Sequence, residues 1–353
     1  MQDGEFISRK EGPAGVFRPL WWLPGAHLQT VWRTVTHRRP LVPVRRERLE
    51  TPDGDELWID HVDGPAGSPR LLILHGLEGS SFSVYAQGLL GAARRLGWRA
   101  SALNFRSCAR DPAFPARWIP NLRARLYHSG ETSDLAFVVS RLASRDDAPF
   151  LAAGVSLGGN VLLKWLGENP GQRSISAAAA VSVPYDLGAG GRYMESGLGP
   201  RYVAHLLRTL KLKAADHVRR FAEAAERIDL PRALRAGSFY EFDDAATAPL
   251  HGFAGARDYY ARSSSLRFVG KIATPTLAIS SDDDPFLPAS VLDAVEAEKS
   301  PAVTLWRTKR GGHVGFVGGG LKPRHWAEEA VMGWFARRES PSPSLSPARG
   351  GEE

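Results

Sequence analysis

The segment Gly154-Val155-Ser156-Leu157-Gly158 sets a hydroxyl between two glycines, just where an apolar run, FLAAGV, gives way to a helical period, SLGGNVLLKWLGE. A Gly-X-Ser-X-Gly pentapeptide is weak evidence by itself. Between a strand and a helix it describes a sharp turn that lifts the serine above a sheet edge, with glycines where a Cβ would collide. A serine hydroxyl is a poor nucleophile at neutral pH, so such a site needs a base near its Oγ and a carboxylate to hold that base in the right tautomer.

Both groups are available downstream, in the chain order serine, acid, histidine expected of a parallel sheet. SSDDDPFLP carries Asp282, Asp283 and Asp284 after one apolar run, and KRGGHVGF carries His313 after the next. The two glycines before His313 let its loop reach back over the serine. Asp284, which opens Asp-Pro-Phe-Leu-Pro, is favoured as the acid, with Asp283 the alternative. Acyl transfer also needs donors aimed at the developing oxyanion. The backbone N–H of Leu157, at a helix start, is one candidate. The N–H of Leu77, just after the apolar run ending in His75-Gly76, is the other, and His75 itself reads as a loop-packing residue.

Positioning three distant segments at one rim requires a particular architecture. RLLILHG, RASALNF, PFLAAGV, SISAAAAVSVP, TPTLAISS and VTLWRT read as buried strands, most of them separated by helical periods. That rhythm predicts an α/β fold, a mostly parallel sheet covered by helices on both faces. Ahead of it, ERLETPDGDELWIDHV reads as a hairpin turning at Asp53-Gly54. SVYAQGLLGAARRLGW should face the core with Tyr85, Leu89, Ala92 and Leu96, and SGETSDLAFVVSRLA should begin a helix capped by Ser129. The rhythm breaks between about residues 185 and 265, which reads as a helical cap insertion in a single domain over 17–338. Its tyrosines, Tyr202, Tyr240, Tyr259 and Tyr260, suit either a core or a pocket wall. Residues 1–16 and the Pro/Ser-rich 339–353 are expected to be flexible.

Composition narrows the classes further. With 353 residues, 43% hydrophobic and 24% charged, the chain can bury one large core. Its single cysteine, Cys108, excludes an internal disulfide and suits the cytoplasm, and no zinc-ligand spacing appears, so neither metal nor cofactor is expected. No signal peptide or membrane span is expected either. The net charge of +7 is scattered among acids, which argues against nucleic-acid binding. The densest basic stretch, Arg33 to Arg48, follows Trp21 and Trp22. This region reads either as a peripheral contact with lipid headgroups or as a solvated edge beside two core tryptophans.

Several blocks beyond the triad resemble the YheT-type branch of the α/β-hydrolases, which also contains abhydrolase-domain lipases. They are PGAHLQTVW, HGLEGSSFSVY, NFRSC, LYHSGETSDL, GVSLGGN, FDDAATAPLHGF, DDPFLP and GGHVGF, spread from Trp21 to Arg337. The resemblance implies Ser156, Asp284 and His313 as a triad acting on carboxylic esters, lipid esters among them. The loop SCARDPAFPARWIPNLRAR departs from the branch's pattern, being longer and lacking the glycine usual after Asn-Phe-Arg, which leaves the pocket's shape open. No histidine begins a His-X4-Asp acyltransferase signature. The expectation is therefore a serine esterase working through an acyl-enzyme. The alternatives are a non-catalytic ligand-binding protein of the same fold, or a hydrolase of amides or thioesters. Oligomeric state is not legible.

Overall fold

The computed structural model describes residues 16–36 and 42–339, so the expectations for the two termini fall almost wholly outside the described residues. Eight strands form one sheet: β1 (Arg45–Glu50), β2 (Glu56–Val62), β3 (Arg70–Leu74), β4 (Arg99–Asn104), β5 (Phe150–Val155), β6 (Ala177–Val181), β7 (Thr276–Ser281) and β8 (Val303–Thr308). Their spatial order is β1-β2-β4-β3-β5-β6-β7-β8. β2 is antiparallel to both β1 and β4, and every pairing from β4 through β8 is parallel. A small hairpin, β9 (Val317–Gly319) with β10 (Pro323–His325), follows β8.

The helices of the sheet layers and the leading segment are α1 (Ala26–Thr36), α2 (Val84–Arg95), α3 (Ser133–Ala143) and α4 (Leu157–Glu168). Between β6 and β7 come α5 (Leu187–Tyr193), α6 (Gly199–Arg220), α7 (Ala222–Arg227), α8 (Leu230–Arg235), α9 (Phe239–Phe242), α10 (Ala248–Leu250) and α11 (Ala256–Ser263), with a π-helical turn over Asp243–Thr247. The chain ends with α12 (Ala289–Glu298) and α13 (Trp326–Glu339).

Parallel strands buried on both faces are predominantly apolar, and the two-residue period then sorts their side chains between two cores. In β3, Leu72 and Leu74 join α3, α4 and α12 on one face, while Leu71 and Ile73 join α2 and α13 on the other. β5 divides the same way, Phe150 and Ala152 against Leu151, Ala153 and Val155. The inserted helices have their own core around Met194, Val203, Leu207, Phe242 and Leu250.

The expected hairpin forms between β1 and β2, with Gly54 N bonded to Thr51 O at 2.9 Å. Three local expectations are corrected. α2 buries Ala86, Leu89, Leu90 and Ala93 with Tyr85 and Ala92 packed partly buried beside them, but Leu96 lies past the helix end, 49% exposed. α3 begins at Ser133, where the Glu131 carboxylate accepts from the Ser133 N–H at 2.8 Å, so Ser129 is not its cap. Neither N-terminal tryptophan is a core residue: Trp21 is 80% exposed, and half-buried Trp22 packs edge-on against Trp32.

Candidate active site

β5 turns into α4 at Ser156, whose backbone holds φ 52° and ψ −121°. A non-glycine residue there costs on the order of 1–3 kcal/mol and persists only where its surroundings fix it. They do so by crowding: a Cβ on Gly154 would come within 2.5 Å of Gly158 O, and one on Gly158 within 2.5 Å of both Leu74 O and His75 O. With glycine at those two positions, α4 can start directly against β3 and β5. The Ser156 N–H donates to Val181 O at 2.8 Å, which ties the turn to β6.

The other two polar groups arrive on the loops after β7 and β8. His313 Nε2 lies 3.0 Å from Ser156 Oγ, and His313 Nδ1 lies 2.9 Å from Asp284 Oδ2 and 3.1 Å from Oδ1. Asp284 is buried and also accepts from the Phe286 N–H at 2.8 Å. The three aspartates are thereby separated by geometry. Asp283 Oδ1 accepts from the Gly312 N–H at 2.9 Å, so it shapes the histidine loop, while Asp282 pairs with Arg307. The Phe286 ring stacks on the imidazole, with centroids 4.1 Å apart and planes 8° from parallel.

The turn Gly76–Gly79 faces the serine. Gly76 N–H donates to Tyr85 OH and Glu78 N–H to Tyr127 OH, both at 2.7 Å, and Gly79 N–H donates to Gly76 O at 3.0 Å. Among the described residues, the Leu77 N–H has no acceptor, nor has the Leu157 N–H at the first position of α4, and both residues line the same cavity as Ser156 and His313. His75 packs inward as expected: its Nε2 accepts from the Phe105 N–H at 3.1 Å, and its Nδ1–H donates to Gly76 O at 2.7 Å. Burial holds its pKa down to about 3, so the ring stays neutral.

That cavity, of about 120 Å³, is roofed by the inserted helices through Leu187, Met194, Leu206, Leu210, Tyr259 and Tyr260. Of the four inserted tyrosines, these last two are pocket walls; Tyr202 lies against Phe286, and Tyr240 is exposed. Sequence reasoning did not anticipate the charged group behind the turn. Lys213 of α6 donates to Glu78 Oε1 at 2.7 Å, where Tyr127 OH also donates at 2.7 Å. Burial opposes the Lys213 ammonium, but the charges facing it outweigh that and its pKa is raised. Its Cys108 neighbour, the single cysteine, is a buried free thiol whose pKa burial pushes up to about 11. Arg106, another buried cation, is held by Asp55 and Asp134.

The sequence profile of the alpha/beta hydrolase fold family matches residues 69–319. The chain is 37% identical over 336 residues to the protein YheT of Escherichia coli (strain K12), whose name marks it as a candidate esterase, covering 94% of each. It is 31% identical over 313 residues to Phospholipase ABHD3 of Mus musculus, covering 86% of this chain and 74% of that one. Among solved structures, an esterase of Pyrococcus furiosus superposes with a TM-score of 0.54 at 18% identity, covering 84% of this chain and 91% of that one, a likeness of fold. The chain belongs to the α/β-hydrolase family, in its YheT-like branch.

Proposed function

We propose that the protein is a serine hydrolase of carboxylic esters, with Ser156 as nucleophile, His313 as general base and Asp284 as the carboxylate that orients it. The reading rests on the unbroken hydrogen-bonded chain from Ser156 Oγ through His313 to Asp284. In the first step Oγ attacks the ester carbonyl carbon as His313 Nε2 takes its proton, and the tetrahedral oxyanion is met by the N–H groups of Leu77 and Leu157. The imidazolium then protonates the leaving alkoxide. Water, deprotonated by the same imidazole, attacks the acyl-enzyme and releases the acid. The inserted helices act as a cap whose apolar walls exclude water and hold the acyl chain.

The names of YheT and ABHD3 support ester chemistry, and an apolar cavity suits a fatty acyl group. No helix among the described residues is long and apolar enough to cross a membrane. A free cysteine suits a cytoplasmic setting, and Trp21 at 80% and Leu321 at 89% exposure, on segments joined by the Pro19–Gly318 bridge, support peripheral contact with a lipid surface. Hydrolysis of p-nitrophenyl octanoate by wild type and Ser156→Ala tests the core of the reading. A loss of about 10⁴-fold or more in kcat is expected. An alanine variant that kept its turnover would remove it.

A further inference from the structure

The cavity above Ser156 is walled by leucines, a methionine and aromatic rings, yet a carboxylate also lines it. Asp243 opens the π-helical turn Asp243–Thr247 between α9 and α10. π-Turns are rare and concentrate at functional sites. Thr247 Oγ1 donates to Asp243 Oδ1 at 2.6 Å, and Tyr260 OH donates to Oδ2 at 2.7 Å. An ionised carboxylate offers about four acceptor sites, so two hydroxyls leave roughly half of them open.

Among the described residues, no cation pairs with this group. Burial pushes its pKa up to about 6, and only the Thr247 and Tyr260 hydroxyls work against burial. The adjacent Asp244 has its own partner, Arg232 at 2.7 Å, on the outer side of the turn. A half-buried carboxylate without a counter-charge gains from every further donor that bonds to it. Phe239, Tyr259 and Tyr260 line the same cavity; the Tyr260 hydroxyl is committed to Asp243, and the Tyr259 hydroxyl accepts from the Ser129 N–H at 2.9 Å. A donor on a molecule that occupies the cavity can reach the acceptor sites left open.

We propose that Asp243 determines substrate specificity by anchoring, through its open acceptor sites, a hydrogen-bond donor on the ester: a free hydroxyl or a protonated amine on a substrate whose remainder fills the apolar walls. The proposal rests on the hydrolase reading above and deepens it. A purely structural Asp243, tethering Tyr260 and Thr247, would affect all esters alike, whereas an anchor changes the ratio between esters with and without the donor.

Matched pairs of substrates test this. One pair is monooctanoylglycerol and its dimethyl ether; the other is dimethylaminoethyl octanoate and its carbon twin, isopentyl octanoate. Wild type should favour the donor-bearing member of one pair by about tenfold or more in kcat/KM, the range for a hydrogen bond to a charged group, and the pair that responds identifies hydroxyl or ammonium as the donor. Asp243→Asn should lower that ratio by about tenfold. Fluorophosphonate labelling of Ser156 is followed in parallel. Wild type that labels but shows ratios near one in both pairs overturns the anchor and leaves the hydrolase reading standing. An Asn variant that labels and keeps the wild-type ratio does the same. Wild type that fails to label removes both. If the Asn variant does not fold, the wild-type ratios decide the matter.

Discussion

The buried pair Lys213–Glu78 joins the inserted helix α6 to the turn that carries the Leu77 N–H, and replacing Lys213 with methionine tests what that connection does. Both side chains are almost fully enclosed, at 3% and 6% exposure, and among the described residues Glu78 Oε2 has no hydrogen-bond partner. Removing one member of such a pair leaves an uncompensated buried charge and destabilises by about 3–5 kcal/mol. The consequence should extend to catalysis. Glu78 sits at φ 55°, a conformation that a non-glycine side chain keeps only while its neighbours hold it. With Lys213 gone, the carboxylate must take up a proton or turn toward water, and the Leu77 amide next to it loses its aim. Loss of one oxyanion donor lowers kcat by about 10²–10³-fold. Urea unfolding followed by fluorescence gives the stability term, and ester turnover at saturating substrate gives the other. Lys213→Met with Glu78→Gln removes both charges and should recover much of the stability lost in the single variant, a coupling that a double-mutant cycle reads directly. A single variant that lost under about 1 kcal/mol and kept its kcat would refute the reasoning.

Asp284→Asn should lower kcat by about 10⁴-fold through the wrong imidazole tautomer, whereas Asp283→Asn, which weakens only the bond to Gly312 N–H, should cost under tenfold; parallel kinetics decide between them. Along a series of p-nitrophenyl esters, kcat/KM should rise about fourfold per methylene, the equivalent of about 0.8 kcal/mol, until the apolar cavity is full. Gly158→Ala puts a Cβ within 2.5 Å of the carbonyls of Leu74, at the end of β3, and His75, and should abolish fluorophosphonate labelling. His75 remains neutral in the folded protein down to about pH 3, while the unfolded chain protonates it below about 6.5. Between those values the unfolded state binds more protons, so stability should fall as pH drops from about 6.5 toward 3, and urea midpoints at pH 5.5 and 7.5 should differ less in His75→Asn.

The parts of the fold that were legible in the sequence are those where one physical constraint dominates. Strands buried on both faces are rich in apolar residues, so β3 through β7 stand out, and the crowding at the β5–α4 turn admits only glycine at positions 154 and 158. Where two constraints compete, local reasoning chose the wrong one. Leu96 looked like a core residue of α2, but the helix ends before it and it is 49% exposed, while Tyr85 packs against the core as expected and also lends its hydroxyl to the Gly76 N–H. Ser129 looked like a cap because serine commonly is one, yet the Glu131 carboxylate holds the α3 N-terminus and the Ser129 N–H is taken by Tyr259 OH. Lys213, Glu78 and Asp243 were illegible for a different reason. A buried charge has the same letter as a surface charge, and only its partner, up to 135 positions away for Lys213, shows which it is.

The same limit applies to the histidine. Its identity follows from chain order, but what holds it in place comes from the opposite end of the chain. α1 lies under the loop after β8: the His313 N–H donates to Thr30 Oγ1 at 2.9 Å, and Thr30 Oγ1 in turn donates to Ala26 O at 2.7 Å. A Cβ on Gly312 would collide with that Ala26 carbonyl, so the glycine is what lets the loop settle onto the helix. Gln29 locks the next segment, donating to Val317 O at 3.2 Å and accepting from the Val317 N–H at 2.8 Å. With Phe286 stacked on one ring face and Asp284 bonded to Nδ1, the imidazole is fixed from three directions before any substrate arrives. Fixing matters because a displacement of about 1 Å at a reacting group can cost on the order of 10²-fold in rate. α1 is therefore part of the site's construction although none of its described side chains lines the cavity.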